Sequence, residues 1–264
     1  MSNKEKFAFL GVGNMANAII GAMETNNICL YDLDKSKCNS LCAKRPLICA
    51  DSVAEALEYA DYVFLSVKPQ NFPDLLSEIA KSVPDYDSKV YISIAAGIST
   101  DYIENALGKK VAVIRTMPNT PMLYGAGVTA ICRNERVSDE SFETIKSIFS
   151  SCSCVFELPQ DKMNAIISAT SSSPSYVFLF IKAIHDSALA QGLDINIDTI
   201  CDMVSGSAQM LKQSPLSADE LISMVTSKGG TTEQAMRVFR EKDLCGIVDE
   251  AMLACTKRAE ELGK

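Results

Sequence analysis

Histidine occurs once in the 264 residues, at position 185, and none of the ten cysteines forms a C-x-x-C pair. Zinc sites draw on closely paired Cys and His ligands, so no metal is expected. Thiols scattered in this way are expected to be buried and reduced, as in a cytoplasmic protein. No signal peptide is expected either, because Met1 is followed by Ser2, Asn3, Lys4, Glu5 and Lys6 with no cleavage site after them. No apolar run reaches the roughly 18–20 residues that a membrane span needs. The longest candidate, 176–184, is interrupted by Lys182. Basic residues are in deficit: 25 Lys and Arg face 33 Asp and Glu, for a net charge of −8. That balance repels a phosphate backbone and argues against nucleic acid as a partner. At 47% hydrophobic and 22% charged, the chain has enough apolar residues for a packed core and too little bias for disorder.

The chain has an α/β first half. Short apolar runs at 7–10, 28–32, 61–67, 90–96, 111–117 and 127–133 read as strands. They alternate with helical patterns at 14–23, 35–43, 52–59, 71–82, 99–107 and 138–149. Such alternation predicts a mostly parallel, Rossmann-type sheet with helices on both faces. After about residue 160 only helical patterns remain: 161–191 with a break or bend at Pro174, then 196–213, 217–226 and 231–262. The expected organisation is a dinucleotide-binding domain over 1–158 and an all-helical domain over 159–264. No Gly/Ser-rich linker and no repeat separates them.

The first strand runs directly into Gly11-Val12-Gly13-Asn14-Met15-Ala16, a G-x-G-x-x-A pattern between a strand and a helix. The first glycine permits the tight turn, and the second lets backbone approach a pyrophosphate. Ala16 is small enough for close helix–strand packing. Free N–H groups at the helix start would hold the phosphates. Asp32 closes the second strand, 21 residues after Gly11. An acid there is expected to bond the adenosine ribose hydroxyls. Its charge opposes a 2′-phosphate and favours NADH over NADPH, with Lys35 and Lys37 close enough to soften that preference. Three more strand ends carry polar or turn chemistry: Ser66-Val67-Lys68-Pro69, Ala95-Ala96-Gly97, and Met117-Pro118-Asn119-Thr120-Pro121. Ligands of open parallel sheets lie beyond the strands' carboxyl ends, so Ser66, Val67, Lys68, Pro69, Ala95 and Asn119 are expected along the cofactor's path.

Taken in order, GVGNMANAI, SVKPQ, SIAAGI, RTMPNTP, the SSPSY run and GGTT resemble the pyrroline-5-carboxylate reductase family over nearly the whole chain. The resemblance implies reduction of a cyclic imine carboxylate to proline with NADH or NADPH. It also implies a homodimer, or a larger assembly of dimers, in which helical domains interleave and the Gly-Gly-Thr-Thr loop of one chain completes the site over its partner's cofactor. Three departures stand out. The family's S-G-S-x-P-A-Y is here Thr170-Ser171-Ser172-Ser173-Pro174-Ser175-Tyr176. Its S-P-G-G-T-T is here Ser227-Lys228-Gly229-Gly230-Thr231-Thr232. Val53 stands where many members carry an Asn used near the cofactor ribose.

Residue chemistry points to the same loop. Two glycines before a helix leave backbone N–H groups free for an anion, and the imine substrate has one carboxylate. Thr231 with Gln234 three residues later fits a capping box. The expected substrate contacts are Ser227, Gly229, Gly230, Thr231 and Thr232. By the resemblance, the Thr232 hydroxyl meets the ring nitrogen and is the catalytic group. Pro174 is expected to restart the helix so that the SSPSY segment approaches the nicotinamide. His185 reads as a satisfied core or interface residue. Two other readings stay open on residues alone. One is a β-hydroxyacid-type dehydrogenase, for which Lys162 is a faint echo of the general base. The other is a non-catalytic NADH-binding regulator.

Overall fold

The computed structural model describes residues 5–82 and 85–263. Eight strands form one sheet: β1 (Phe7–Leu10), β2 (Ile28–Tyr31), β3 (Ile48–Cys49), β4 (Tyr62–Leu65), β5 (Val90–Ser93), β6 (Ala112–Met117), β7 (Gly127–Arg133) and β8 (Ser153–Glu157). Their order is β3-β2-β1-β4-β5-β6-β7-β8. All neighbours are parallel except β6 and β7. The helices between them are α1 (Asn14–Ala22), α2 (Lys35–Cys42), α3 (Val53–Tyr59), α4 (Phe72–Ser82), α5 (Thr100–Leu107) and α6 (Asp139–Ser150).

Both faces of the sheet are covered, which explains why the strands read as continuous apolar runs rather than as alternating ones. Phe7, Phe9, Ile28, Leu30, Phe64 and Ile92 pack with α1 and α6. The residues between them in sequence, such as Ala8, Leu10, Cys29, Val63 and Tyr91, pack with α3, α4 and α5. Phe9 and Phe64 stack across the β1–β4 pair at 4.3 Å between ring centres. The chain reverses its direction of travel across the sheet between β1 and β4, and the crevice beyond their ends is where such sheets bind ligands.

Two strands escaped the sequence reading. β3 is only two residues long. β8 is an edge strand with no fully buried residue, so its hydrophobic signal is weak.

The structure divides into two compact units, one reaching Ser172 and including residues from Ala254 onward, the other Ser173–Leu253. This division differs from the 158/159 boundary read from composition. Strands end near 158, but packing on the sheet does not. Met163 and Ile167 are buried with Met117, Ala130 and Cys132. Asn164 Oδ1 accepts a 2.6 Å hydrogen bond from the buried Arg115 guanidinium. A π-helical turn, Ile167–Ser171, closes this segment. The second unit contains α7 (Ser173–Ala190), α8 (Ile197–Gln213), α9 (Ala218–Val225), α10 (Thr231–Glu241) and the start of α11 (Leu244–Leu262). Pro174 sits in the first turn of α7, where its missing N–H costs nothing. The single run expected over 231–262 is two helices, interrupted at Asp243, which adopts a left-handed φ of 51°. On α7, Phe178 and Leu179 are 60% and 68% exposed. Much of this unit's apolar surface is therefore uncovered in the single chain. No helix among the described residues is long and apolar enough to cross a membrane.

All ten cysteines are free thiols. Cys29, Cys38, Cys132 and Cys152 are buried, and burial pushes the Cys29 and Cys38 thiols up to about 11 and about 12. Cys154, Cys201 and Cys245 are exposed, contrary to the expectation of burial. Cys201 and Cys245 lie on α8 and α11, which this chain by itself leaves largely uncovered.

Candidate functional site

The glycine loop is built as the pattern demands. Gly11 has a φ of +100°, and a Cβ there would stand 2.8 Å from the Ser66 carbonyl carbon and 2.9 Å from Val67 N. Only glycine lets the loop after β1 lie so close to the end of β4. The Gly11 N–H donates to Tyr31 O at 2.8 Å, and the Val12 N–H donates to Asp32 Oδ2 at 2.7 Å. Val12 and Ala16 are buried, Met15 packs on the core, and Gly13 and Asn14 face outward. A Cβ on Gly13 would meet no protein atom within 4 Å, so the approach to the start of α1 is open.

Asp32 lies just beyond β2. Burial pushes its carboxyl pKa up, but the Val12 and Asp34 N–H groups and the Lys37 ammonium outweigh that and hold it below the usual carboxylate value. Lys37 Nζ sits 3.2 Å from Asp32 Oδ1. Lys35 turns away, to Ala50 O and Asp51. A cavity of about 490 Å³ opens beside these groups and is also lined by Gly11, Gly13, Ser66, Val67 and Lys68. Leu33, 88% exposed, Asp74 and Glu78 line it too and were not foreseen. The two acids lie four apart on α4, so their placement on one face was readable from spacing. Four carboxylates (Asp32, Asp34, Asp74, Glu78) and two ammonium groups (Lys37, Lys68) face this space. Carboxylates therefore outnumber ammonium groups around this space.

Two of the expected cofactor residues, Asn119 and Ala95, have their side chains committed elsewhere. Asn119 Oδ1 accepts from Val128 N at 2.8 Å, while its Nδ2 donates to Thr170 O at 3.0 Å. Ala95 is buried in the core. Pro69 starts a single 3-10 turn, Pro69–Asn71, with Lys68 at its cap. Val53, in the position linked to the ribose, is fully buried.

Helix caps set two helices apart. Side chains of Asp34, Ser52, Ser99, Ser138, Asn196 and Ser217 cap α2, α3, α5, α6, α8 and α9. By contrast, α1 and α10 begin on glycine, Gly13 and Gly230, with no side-chain cap. Their first N–H groups are left for another acceptor.

In the second unit, Gly229 has a φ of +72°, and a Cβ on Gly230 would lie 2.4 Å from Ser227 Oγ. This tight turn starts α10 at Thr231, so the expected Thr231–Gln234 capping box does not form. Instead Glu233 Oε2 reaches back to accept from the Gly229 N–H at 2.8 Å. Thr231 is exposed and Thr232 half-buried. His185 Nε2 lies 3.1 Å from Ile195 O within the same unit, in keeping with a structural role. Lys162 is exposed and paired with Asp161, which is a poor setting for a general base. Among the described residues no group of three or more His, Cys, Asp or Glu side chains is gathered to hold a metal ion.

The chain is 35% identical to the pyrroline-5-carboxylate reductase of Escherichia coli (strain K12), across 99% of both chains. It is 34% identical to that of Vibrio alginolyticus, across 98% of both. It belongs to the pyrroline-5-carboxylate reductase family. Residues 160–262 match the family model described as pyrroline-5-carboxylate reductase dimerisation. Residues 6–97 match one described as NADP oxidoreductase, coenzyme F420-dependent. Among solved structures, a pyrroline-5-carboxylate reductase from Coxiella burnetii superposes with a TM-score of 0.83 at 30% identity, over 98% of this chain and 99% of that one. The Plasmodium falciparum pyrroline carboxylate reductase, solved with NADP bound, shares the fold at a TM-score of 0.89 and 24% identity, with 99% of each chain covered. Family membership sets aside the β-hydroxyacid dehydrogenase and the regulator as readings of the fold.

Proposed function

We propose that this chain reduces the ring C=N of 1-pyrroline-5-carboxylate to give L-proline, taking hydride from NADH or NADPH. The observation that carries this reading is the pair of glycine-capped helix starts, α1 and α10, where side chains cap six of the other α-helices, α2, α3, α5, α6, α8 and α9. One suits a pyrophosphate and the other a substrate carboxylate. When bound, the reduced nicotinamide supplies the hydride.

The residues have separate tasks. Gly11 shapes the turn, while Gly13, Asn14 and Met15 offer N–H groups to the pyrophosphate. Asp32, held ionised, accepts from ribose hydroxyls. The carboxylates around the cavity favour NADH over NADPH, and Lys37 softens that preference. Ser66 to Pro69 and the main chain at Ala95 and Asn119 line the path toward the nicotinamide. Ser227 and the first N–H groups of α10, at Thr231 and Thr232, hold the carboxylate of the imine, while Gly229 and Gly230, whose N–H groups go to Glu233 Oε2 and Ser227 O, shape the turn that presents them. Thr232 places its hydroxyl at the ring nitrogen, where it holds the protonated iminium. That group accepts hydride at carbon and keeps its proton as the amine forms. A threonine hydroxyl is too weak an acid to protonate the ring itself, so its work is orientation. The exposed apolar helices support a homodimer, or an assembly of dimers, through residues 159–264. Free thiols support a cytoplasmic setting. Steady-state reduction of 1-pyrroline-5-carboxylate with NADH and NADPH in parallel tests the reading. Proline formation supports it, and cofactor binding without turnover rejects it.

A further inference from the structure

The last turns of α11 lie against the loop after β5 and the π-helical turn. Gly97, with a φ of +83°, lies in the loop between β5 and α5. A Cβ on it would stand 2.2 Å from the Ala259 carbonyl oxygen and 3.1 Å from Gly263 N. Reciprocally, a Cβ on Gly263 would stand 2.3 Å from Gly97 O. Loop and tail therefore touch backbone to backbone, at a distance that only two glycines allow. Ala259 is buried with Met117 at the end of β6.

One turn earlier, Thr256 Oγ1 donates to Ser168 Oγ at 3.3 Å, and Ser168 Oγ in turn donates to Ala165 O at 2.9 Å. Cys255 Sγ lies 3.3 Å from Ser172 Oγ. Ser168 belongs to the π-helical turn, whose Thr170 carbonyl is bonded by Asn119 from the opposite side. Single π-turns are rare and concentrate at functional sites. This one is held by a loop residue and by the C-terminal helix together.

We infer that the tail of α11 is a positioning element for the reduction: Thr256 and Gly263 set the Ser168–Ser172 turn and the Ala95–Gly97 loop relative to each other. The inference rests on the proposed imine reduction, because the Ala95–Gly97 loop lies on the path assigned to the nicotinamide and the 168–172 turn leads into the SSPSY run expected beside it. Hydride transfer requires donor and acceptor carbons about 3–3.5 Å apart, and a misplacement of about 1 Å costs on the order of 100-fold.

Two substitutions outside the residues assigned to cofactor and substrate test this in the full-length enzyme. Gly263→Ala pushes a methyl at Gly97 O, and the NADH dissociation constant is expected to rise roughly fivefold, a readout that needs no imine turnover. Thr256→Val removes the donor to Ser168 at constant shape. It is expected to lower kcat about tenfold with KM for the imine unchanged, and to enlarge the deuterium isotope effect from labelled NADH. Thr256→Ser should restore both. Wild-type NADH affinity in Gly263→Ala together with wild-type kcat in Thr256→Val overturns the inference. So does a Thr256→Ser variant as impaired as Thr256→Val, which would mark a loss of packing rather than of the hydroxyl. If Gly263→Ala fails to fold, the Thr256 pair decides alone. A wild-type enzyme that binds NADH but does not reduce the imine rejects the functional reading instead, and Gly263→Ala still tests the contact with the loop.

Discussion

The two glycines of the cofactor loop should fail in opposite ways when each is replaced by alanine. At Gly11 the backbone is at φ +100°, and the new methyl would sit 2.8–2.9 Å from three backbone atoms of Ser66 and Val67. A residue with a side chain in such a left-handed conformation costs roughly 1–2 kcal/mol. Overpacking against rigid backbone adds roughly 1–3 kcal/mol. A loss of about 3 kcal/mol in all corresponds to about 6–12 °C in Tm for a chain of this size. Gly13 differs in both respects: its φ of −86° and ψ of −175° suit any residue, and a methyl there meets no protein atom within 4 Å. Gly13→Ala should cost less than about 1 kcal/mol, the difference between glycine and alanine as an N-cap. Yet it should weaken NADH binding at least about tenfold, or about 1.4 kcal/mol, because the methyl occupies the pyrophosphate's approach. Thermal melts and fluorescence titration with NADH separate the two effects. A Gly13→Ala protein that binds NADH like wild type refutes this placement of the pyrophosphate. A Gly11→Ala protein that melts like wild type refutes the packing argument.

Other substitutions probe the rest of the site. Thr232→Ala should lower kcat roughly 10–100-fold with the NADH dissociation constant unchanged, while Thr232→Ser keeps most activity. Full activity in the alanine variant removes Thr232 from the mechanism. Asp32→Ser should move the ratio of kcat/KM for NADPH over NADH upward by about tenfold or more, since it removes the carboxylate nearest the glycine loop; an unchanged ratio assigns cofactor choice elsewhere. Asp32 also makes a pH prediction. Its pKa in the folded protein lies below the unfolded value of about 3.9, so its contribution to stability is complete above that value and disappears as pH falls through the folded pKa. Asp32→Asn should flatten the stability–pH curve in that acid window when followed by urea unfolding. Finally, Asn164→Leu removes the hydrogen-bond acceptor of Arg115, a residue that is 1% exposed and whose Nε already lacks a partner. It should cost about 2–3 kcal/mol in chemical denaturation, and Arg115→Met in the same chain should recover part of that loss.

Much of the architecture was readable because its signals are local. Apolar runs bounded by turn residues gave six strands, and the G-x-G-x-x-A loop with Asp32 fell at the sheet's switch point. What escaped depended on tertiary context. β3 and β8 are too short or too exposed to carry a hydrophobic period. The unit boundary lies beyond 158 because Met163, Asn164 and Ile167 pack on the sheet, although their own sequence looks helical. Asn119 stands in a striking motif, MPNTP, yet its amide is used to join β7 and the π-turn, which no spacing in the sequence shows. The Gly-Gly-Thr-Thr loop was recognised, but the residue that closes it is Glu233 rather than Gln234. That choice turns on the helix starting one residue earlier than the threonine pattern suggests. The acidic lining from Asp74 and Glu78 could have been found from their i, i+4 spacing, had α4 been placed beside the loop after β2.

Imine reduction is proposed at a site whose phosphate and carboxylate contacts come from glycine-started helices. The direct measurement is the rate of NADH and NADPH oxidation by purified enzyme with 1-pyrroline-5-carboxylate, with proline quantified as product. Stoichiometric proline formation is expected with both cofactors, with a higher kcat/KM for NADH. Binding of either cofactor without proline formation would contradict it.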